Sequence, residues 1–332
     1  MPEPDYQPGY SQDPMTSREV LAWFEAGRLP SDGALKHLQK LDSRITDGRS
    51  SIRAPSQESR RKRIESVLHE LDGLVGLHDV KNMVHEIRAF VDVQQRRLEL
   101  GLASESQTLH MVFSGAPGTG KTTVARILGR LFQTMDVLPK GHMLEVERAD
   151  LVGEYIGHTA QKTRDAVKRA LGGVMFVDEA YALARGGEKD FGKEAIDTLV
   201  KAMEDHRGEF LLILAGYSDE MAWFLATNPG LLSRFPLHLH FPDYGASELA
   251  AIARIMLAER QYQLSADADR QLTEYLVRSE GHWRVNSGNA RLVRNLIEGA
   301  IRRQSVRLIR RLDMATREEL MTLTWADVEG GL

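Results

Sequence analysis

The chain has 332 residues, of which 42% are hydrophobic and 27% are charged, and its formal net charge is -4. This composition is typical of a globular protein and excludes the strong positive charge expected of a protein that binds nucleic acids or anionic lipids. The sequence contains no cysteine, which excludes disulfides and cysteine-ligated zinc. No stretch reaches the ~20 apolar residues of a membrane span, and the N-terminus lacks a signal peptide's basic and apolar regions, so we expect a cytoplasmic protein with no membrane partner.

The first 64 residues divide into three predicted segments. Residues 1–15 are rich in Pro, Gln, Asp and Ser without apolar periodicity, which predicts a disordered lead. Residues 16–45 carry two apolar runs around a turn, which predicts a pair of short helices that clasps the rest of the chain or docks on a partner, with disorder as the third alternative. Residues 46–64 combine a linker with the start of a helix, whose basic run at 60–63 we assign to a solvated face.

Residues 65–245 are predicted to form an α/β domain with a parallel sheet. An amphipathic helix comes first, with apolar residues at helical spacing, namely Val80, Met83, Val84, Ile87, Phe90 and Val91. Strand candidates then alternate with helical segments, at 111–114, 141–146, 174–177, 210–215 and 237–241. Because parallel strands need crossover connections, this alternation indicates helical crossovers and places functional loops at the carboxyl ends of the strands.

A phosphate-binding loop lies between the first strand candidate and the helical segment after it. The stretch 115–122 fits the pattern G-x-x-x-x-G-K-[ST] at every fixed position. Its glycines let several backbone N–H groups converge on phosphate oxygens, Lys121 can reach the β- and γ-phosphates, and the Thr122 hydroxyl can bind Mg²⁺. We therefore predict that ATP is bound by Gly115, Ala116, Pro117, Gly118, Thr119, Gly120, Lys121, Thr122 and Thr123.

A second signature is the apolar strand candidate 174–177 followed by Asp178 and Glu179. Successive residues at a strand end diverge, so the two carboxylates can divide their roles. Asp178 can hold Mg²⁺ through its water shell, while Glu179 can orient or deprotonate the water that attacks the γ-phosphate. This pair predicts ATP hydrolysis.

Residues 246–332 are predicted to form a smaller, all-helical lid domain. Helical segments are expected around 249–259, 266–278, 289–311 and 318–322. The third of these carries a stripe of arginines interleaved with apolar residues, which we assign to a solvated outer face rather than to nucleic-acid binding. The stripe comprises Arg302, Arg303, Arg307, Arg310 and Arg311.

Taken together, these motifs resemble the AAA+ ATPases over roughly residues 65–330. The resemblance is strongest to the subgroup of stage V sporulation protein K and the red-type Rubisco activase, to which the ATPase domain of type VII secretion is related. The residues that carry it are the two signatures above with Leu74–Leu77, Asp150–Thr159, Leu214–Tyr217, Asn228–Arg234 and Gly288–Arg291.

The resemblance implies roles for several further residues. Val75 and Gly76 match the segment beside the adenine, and Tyr155 with Ile156 matches a loop that projects an aromatic side chain into the central pore of a ring. Arg234 matches the arginine finger that completes the active site of the neighbouring subunit, with Arg185 and Arg164 as rival candidates. Arg291 matches the second sensor on the lid, and Arg294 is the alternative to it. Many AAA+ ATPases end the fourth strand with a polar first sensor, whereas this chain has Ala215-Gly216-Tyr217, which leaves that sensor's identity open.

The resemblance further implies an ATP-hydrolysing homo-oligomeric ring, which we predict to be a hexamer. Its pore loops would thread and remodel a partner protein, and similarity to stage V sporulation protein K implies a role in bacterial sporulation. Two alternatives stay open, a remodeller like the red-type Rubisco activase and a nucleotide-dependent switch without threading. A nucleic-acid motor is disfavoured by the net charge of -4.

Overall fold

A computed structural model of the chain describes Val20 and residues 57–103, 108–155, 157–186, 190–278 and 288–331. The chain divides into two compact units, residues 1–60 and residues 61–332. In the first unit only Val20 and residues 57–60 are described, and the latter begin a helix. The predicted lead at 1–15, the helical pair at 16–45 apart from Val20, and the linker up to residue 56 therefore lie outside the described residues.

A parallel sheet of five strands is the centre of the second unit. Its strands are β1 Met111–Gly115, β2 Met143–Val146, β3 Val174–Val177, β4 Leu211–Gly216 and β5 Leu237–Phe241. They lie in the order β2-β3-β4-β1-β5, and every neighbouring pair is parallel. The predicted α/β class is thereby confirmed. Strand β2 begins two residues later than predicted because Gly141, with φ 62°, still belongs to the preceding turn.

Helices cover both faces of this sheet. They are α1 Gln57–Asp72, α2 His78–Glu99, α3 Lys121–Thr134, α4 Arg148–Leu151, α5 His158–Ala170, α6 Gly192–Asp205, α7 Ser218–Thr227 and α8 Pro229–Leu232, with a 3-10 helix at Ala180–Ala184. Helix α2 buries Val80, Val84, Ile87 and Val91, the core of the predicted apolar stripe. Its spacing of three and four residues puts these side chains on one face of the helix.

Alternate residues of the strands feed two hydrophobic clusters, one on each face of the sheet. In β1, Met111 and Phe113 pack with residues of α1, α2 and α3, whereas Val112 packs with residues of α5, α6 and α7. Every residue of β3 and β4 is buried. Strands covered on both faces need apolar side chains at every position, which explains why these two read as continuous apolar runs.

The lid follows β5 and is mainly helical, as predicted. It contains α9 Ala246–Glu259, α10 Ala266–Arg278, α11 Ala290–Leu308, a 3-10 helix at Ile309–Met314, α12 Arg317–Met321 and α13 Trp325–Glu329. The prediction of an all-helical lid is wrong in one respect, since β6 Gln263–Leu264 pairs in parallel with β7 Thr322–Leu323. Strands of two residues are too short to produce a periodic sequence signal.

The arginine stripe, which runs along α11 and the 3-10 helix after it, is only partly a solvated face, so that interpretation is wrong for two of its members. Arg307 makes two hydrogen bonds to the Asp327 carboxylate, at 3.0 and 2.7 Å, and the Asp327 side chain is only 3% exposed. Arg303 donates to the backbone carbonyls of Asp327 and Val328. A buried carboxylate requires a charged partner, and these two arginines secure α13 against α11.

Candidate active site

The phosphate loop leaves β1 at Gly115 and enters α3 at Lys121. Gly115, Gly118 and Gly120 have φ values of 152°, 72° and 99°, which an L-residue adopts only with strain. A Cβ atom on Gly115 would also lie 2.3 Å from the carbonyl oxygen of Phe241 on the neighbouring strand. These glycines, of which the motif fixes Gly115 and Gly120, let this loop turn beside β5 and present the N-terminus of α3 to an anion.

Lys121 folds back over the loop that precedes it. Its Nζ donates to the carbonyl oxygens of Gly115 at 2.7 Å and Ala116 at 2.8 Å. Burial lowers the pKa of Lys121, an effect opposed first by Asp178 and reinforced by Arg291. An ammonium in these dehydrated surroundings attracts phosphate oxygens more strongly than one in water.

Asp178 and Glu179 follow β3 and differ in burial. Asp178 is half-buried and accepts a hydrogen bond from the Glu179 N–H at 3.0 Å, while its own N–H donates to the carbonyl of Val146. Glu179 is exposed and has φ 46°, in the left-handed region. This conformation is uncommon for a residue with a side chain and is typical of functional positions that the surrounding structure holds in place.

One cavity of about 530 Å³ brings most of the predicted site residues together. Among the residues that line it are Val75, Pro117, Gly118, Gly120, Lys121, Thr122, Thr123, Asp178, Glu179 and Arg291. Three predicted residues of the loop do not line the cavity. Gly115 and Ala116 accept hydrogen bonds from Lys121, and Thr119 is fully buried. Gly76 has φ 61° and leaves room for the Glu248 carboxylate. The cavity thus combines a phosphate end with an apolar end formed by residues such as Val75 and Ile252.

Thr122 and Asp178, the two predicted Mg²⁺ ligands, line the same cavity and offer a hydroxyl and a carboxylate. Among the described residues no group of three or more His, Asp or Glu side chains is arranged to hold a metal. This donor set suits Mg²⁺, which keeps several waters and takes few protein ligands beside substrate phosphates. Both alternatives for the lid sensor, Arg291 and Arg294, line the same cavity.

Two stacked tyrosines lie beside the end of β4, where many AAA+ ATPases carry a polar sensor. Tyr217 lines the cavity and stacks on Tyr181 with the ring centroids 5.8 Å apart. The Arg185 guanidinium lies 4.5 Å from the centroid of the Tyr181 ring. A glycine is required at position 216, because a Cβ atom there would lie 2.7 Å from the Tyr181 ring. Burial, aided by Glu179, raises the pKa of Tyr181, which therefore stays a neutral phenol.

Arg234 lies outside the cavity of its own chain. Its Nε and Nη2 donate to the Glu204 carboxylate, the former at 3.2 Å, and its Nη1 donates to the carbonyl of Gly230 at 2.8 Å. The rival candidates have other surroundings, since Arg185 stacks on Tyr181 and Arg164 lines a separate groove between α5 and α6. Sequence reasoning did not identify Glu204, because its spacing of thirty residues from Arg234 carries no motif.

Tyr155 lies on an exposed turn between α4 and α5. Its side chain is 66% exposed, and its ring meets the ring of His158 edge-on at 5.5 Å. Gly157 has φ 82° and open space where a Cβ would be. The Tyr155 ring is therefore accessible from solvent. Ile156, the second residue of the predicted pore loop, lies outside the described residues.

The helices that the structure describes include none long and apolar enough to cross a membrane. Two family models match the chain in succession. The model for the ATPase family associated with various cellular activities (AAA) matches residues 111–243, and the model for the AAA lid domain matches residues 245–331.

Several curated proteins are similar over most of their length. Stage V sporulation protein K of Bacillus subtilis (strain 168) is 55% identical over 266 residues, which are 80% of this chain and 82% of that protein. Protein CbbX of Cereibacter sphaeroides is 47% identical over 248 residues, which are 74% and 79% of the two chains. The chloroplastic ribulose bisphosphate carboxylase/oxygenase activase of Cyanidioschyzon merolae (strain NIES-3377 / 10D) is 46% identical over 255 residues, or 76% and 86%.

Proposed function

The chain belongs to the AAA ATPases, and we propose that it works as a homo-oligomeric ring, hexameric in its active state, in which ATP hydrolysis remodels a partner protein. The observation that carries this proposal is the division of the site. Lys121, Asp178, Glu179 and Arg291 border one cavity, whereas Arg234 lies outside it and donates hydrogen bonds to the Glu204 carboxylate. An arginine finger that lies outside the cavity of its own chain is what a motor that hydrolyses only when assembled requires.

Within one subunit, each residue of the cavity has a distinct proposed role. The phosphate loop and Lys121 bind the β- and γ-phosphates, and Val75 with Gly76 contacts the adenine. Thr122 and Asp178 would hold Mg²⁺, which would neutralise phosphate charge when bound. Glu179 orients the attacking water and accepts its proton, and Arg291 binds the phosphates from the lid.

We propose that Arg234 acts in trans, and mixed oligomers test this directly. Glu179→Gln and Arg234→Ala should each abolish turnover, because each removes one half of every site. Mixing the two variants in equal amounts should restore about a quarter of the sites, since some interfaces then pair an intact Glu179 with an intact Arg234 of the neighbour. Phosphate release is measured against the total protein concentration. Mixtures that stay as inactive as the separate variants contradict a finger supplied by the neighbour.

The exposed Tyr155, with Ile156, is proposed to grip the threaded polypeptide. An aromatic ring contacts an extended chain without reading its sequence, which suits a remodelling enzyme. Tyr155→Ala should leave ATP turnover within about threefold, because the 66% exposed ring supports no core, and should lower remodelling at least about tenfold. Unfolding of a fluorescent protein with an unstructured extension measures this, and Tyr155→Phe, which keeps the ring, is the control. Equal unfolding by all three proteins contradicts threading and favours a nucleotide-dependent switch.

For the biological role we propose bacterial sporulation, in the cytoplasm, on the basis of the 55% identity to stage V sporulation protein K. Deleting the gene in its native cell should lower the yield of heat-resistant spores, and Glu179→Gln should not complement the loss. The second candidate is a remodeller of Rubisco, favoured by the similarity to the chloroplastic activase at 46% identity. Reactivation of an inhibited red-type Rubisco by the purified chain, together with normal sporulation of the deletion strain, would establish that alternative.

A further inference from the structure

We propose that Asn289 and Tyr244 are positioning residues that orient the peptide planes of the phosphate loop, so that its N–H groups face the bound phosphates. The inference rests on the nucleotide site proposed above and adds a mechanism by which the lid controls that site. Neither residue was assigned a role from the sequence.

The carbonyl oxygens of three successive loop residues accept hydrogen bonds from outside the loop. Pro117 accepts from Asn289 Nδ2 at 3.2 Å, Gly118 from the backbone N–H of Ala290 at 3.2 Å, and Thr119 from the Tyr244 hydroxyl at 3.0 Å. Asn289 and Ala290 lie at the start of α11, and Tyr244 lies between β5 and α9. All three donors therefore belong to the lid or to the segment that joins it to the sheet.

These bonds fix the direction of the loop's N–H groups. In a trans peptide the C=O and N–H bonds point in opposite directions, and the described part of the chain has no cis peptide. Carbonyl oxygens held by the lid thus turn the N–H groups of Gly118, Thr119 and Gly120 to the other side, towards the interior of the loop. Convergent N–H groups are what a phosphate-binding loop requires.

Asn289 is itself held in place by its whole side chain. Its Oδ1 accepts from the Tyr244 N–H at 3.0 Å, and its Nδ2 also donates to the Asp243 carboxylate at 2.8 Å. The residue is fully buried, with φ 43° and ψ −124°, a conformation that favours glycine. Such strain persists only where several contacts over-determine it, and here the contacts reach the loop and the junction at once.

The lid backbone also packs directly on the loop. A Cβ atom on Gly118 would lie 2.2 Å from the carbonyl oxygen of Gly288, so the two segments are in contact without an intervening side chain. Asn289 lies only two residues before Arg291, at the same helix start. A rotation of the lid that moves Arg291 relative to the phosphates therefore also changes the hydrogen bonds that orient the loop, which couples the lid angle to nucleotide affinity.

The test compares the dissociation constants of ADP and AMP for the full chain, measured with Mg²⁺ by equilibrium dialysis. The loop and its lysine bind the β- and γ-phosphates, which AMP lacks. Tyr244→Phe removes the hydrogen bond to Thr119 and should raise the dissociation constant of ADP about fivefold. Asn289→Asp keeps the acceptor for the Tyr244 N–H but puts an oxygen in place of the amide NH₂ that donates to Pro117 and Asp243. The dissociation constant of ADP should therefore rise at least about thirtyfold. The dissociation constant of AMP should change less than about twofold in both variants.

Tyr262→Phe is the matched control, because this partly buried tyrosine packs in the lid core and does not line the nucleotide cavity. It should leave both constants unchanged. A ratio of AMP to ADP constants that falls in both Asn289→Asp and Tyr244→Phe supports the inference. An unchanged ratio, with both nucleotides weakened equally or not at all, overturns it, and Tyr244→Phe gives this answer even where Asn289→Asp does not fold. A wild-type chain that binds no ADP refutes the proposed nucleotide site instead.

Discussion

Acidification should destabilise this protein through one buried histidine at the start of β1. The His110 side chain is 3% exposed and lies between Phe210 and Phe235, with ring centroids 5.6 and 5.9 Å away. Its Nδ1 accepts the backbone N–H of Leu212 at 3.0 Å, so the neutral ring carries its proton on Nε2. Burial lowers the pKa of His110 from 6.5 to about 4.

The direction of this pH effect follows from which state of the chain binds the proton. Between pH 6.5 and pH 4 the unfolded chain protonates His110 while the folded chain does not, so the free energy of unfolding falls as the pH falls. The contribution of the neutral His110 to the free energy of unfolding is fully present above pH 6.5 and is lost by about pH 4. A pKa difference of about 2.5 corresponds to about 3 kcal/mol, a large fraction of the stability of a typical domain.

Urea denaturation followed by circular dichroism at pH 7, 6, 5 and 4 measures this contribution. Other groups also titrate over this range, so the informative quantity is the difference between wild type and His110→Asn. The Asn Oδ1 can accept from the Leu212 N–H in place of Nδ1, and it does not titrate. The wild type should lose about 3 kcal/mol more than His110→Asn between pH 7 and pH 4. Parallel losses in the two proteins would refute the assignment of a neutral, buried histidine.

Two further perturbations address the lid and the metal. Arg307→Met leaves the Asp327 carboxylate buried without its cation and should lower the free energy of unfolding by about 3 kcal/mol. Arg310→Met, at an exposed position of the 3-10 helix that follows α11, should change it by less than about 0.5 kcal/mol. Thermal unfolding measures both, and equal losses would contradict a structural ion pair. Removing Mg²⁺ with EDTA should abolish ATP turnover, and Thr122→Ala should raise the Mg²⁺ concentration for half-maximal turnover about tenfold. Thr134→Ala, at the other end of α3, is the control, and the same Mg²⁺ dependence in all three proteins would remove Thr122 as a ligand.

The sheet was predictable because its signals are local. Strands such as β3 are buried on both faces and read as short apolar runs, and the turn glycines that bound them are visible without the structure. The phosphate loop and the Asp178–Glu179 pair were equally accessible, since both are contiguous motifs at strand ends. The structure brings these motifs to a single cavity, as their positions at the carboxyl edge of a parallel sheet required.

What could not be predicted depends on pairs of residues far apart in the chain. The partners of Asn289 at Pro117 and Asp243 are separated from it by more than forty residues, and no spacing rule connects them. The Arg307–Asp327 pair was missed for the same reason, because an arginine stripe looks alike whether it faces water or a buried carboxylate. Burial of a polar residue such as His110 is likewise decided by tertiary packing rather than by the local pattern.

The parallel pairing of β6 with β7 has a consequence for the order in which the protein is built. All strands of the central sheet have been synthesised once the ribosome has passed Phe241, so the large domain can begin to fold early. The lid core, in contrast, includes Leu323 and Val328, and Gln263 finds its strand partner only at Thr322. Closing so long a loop is slow compared with local pairing. The phosphate loop is therefore translated long before the lid that holds its carbonyl groups, and the nucleotide site is completed last.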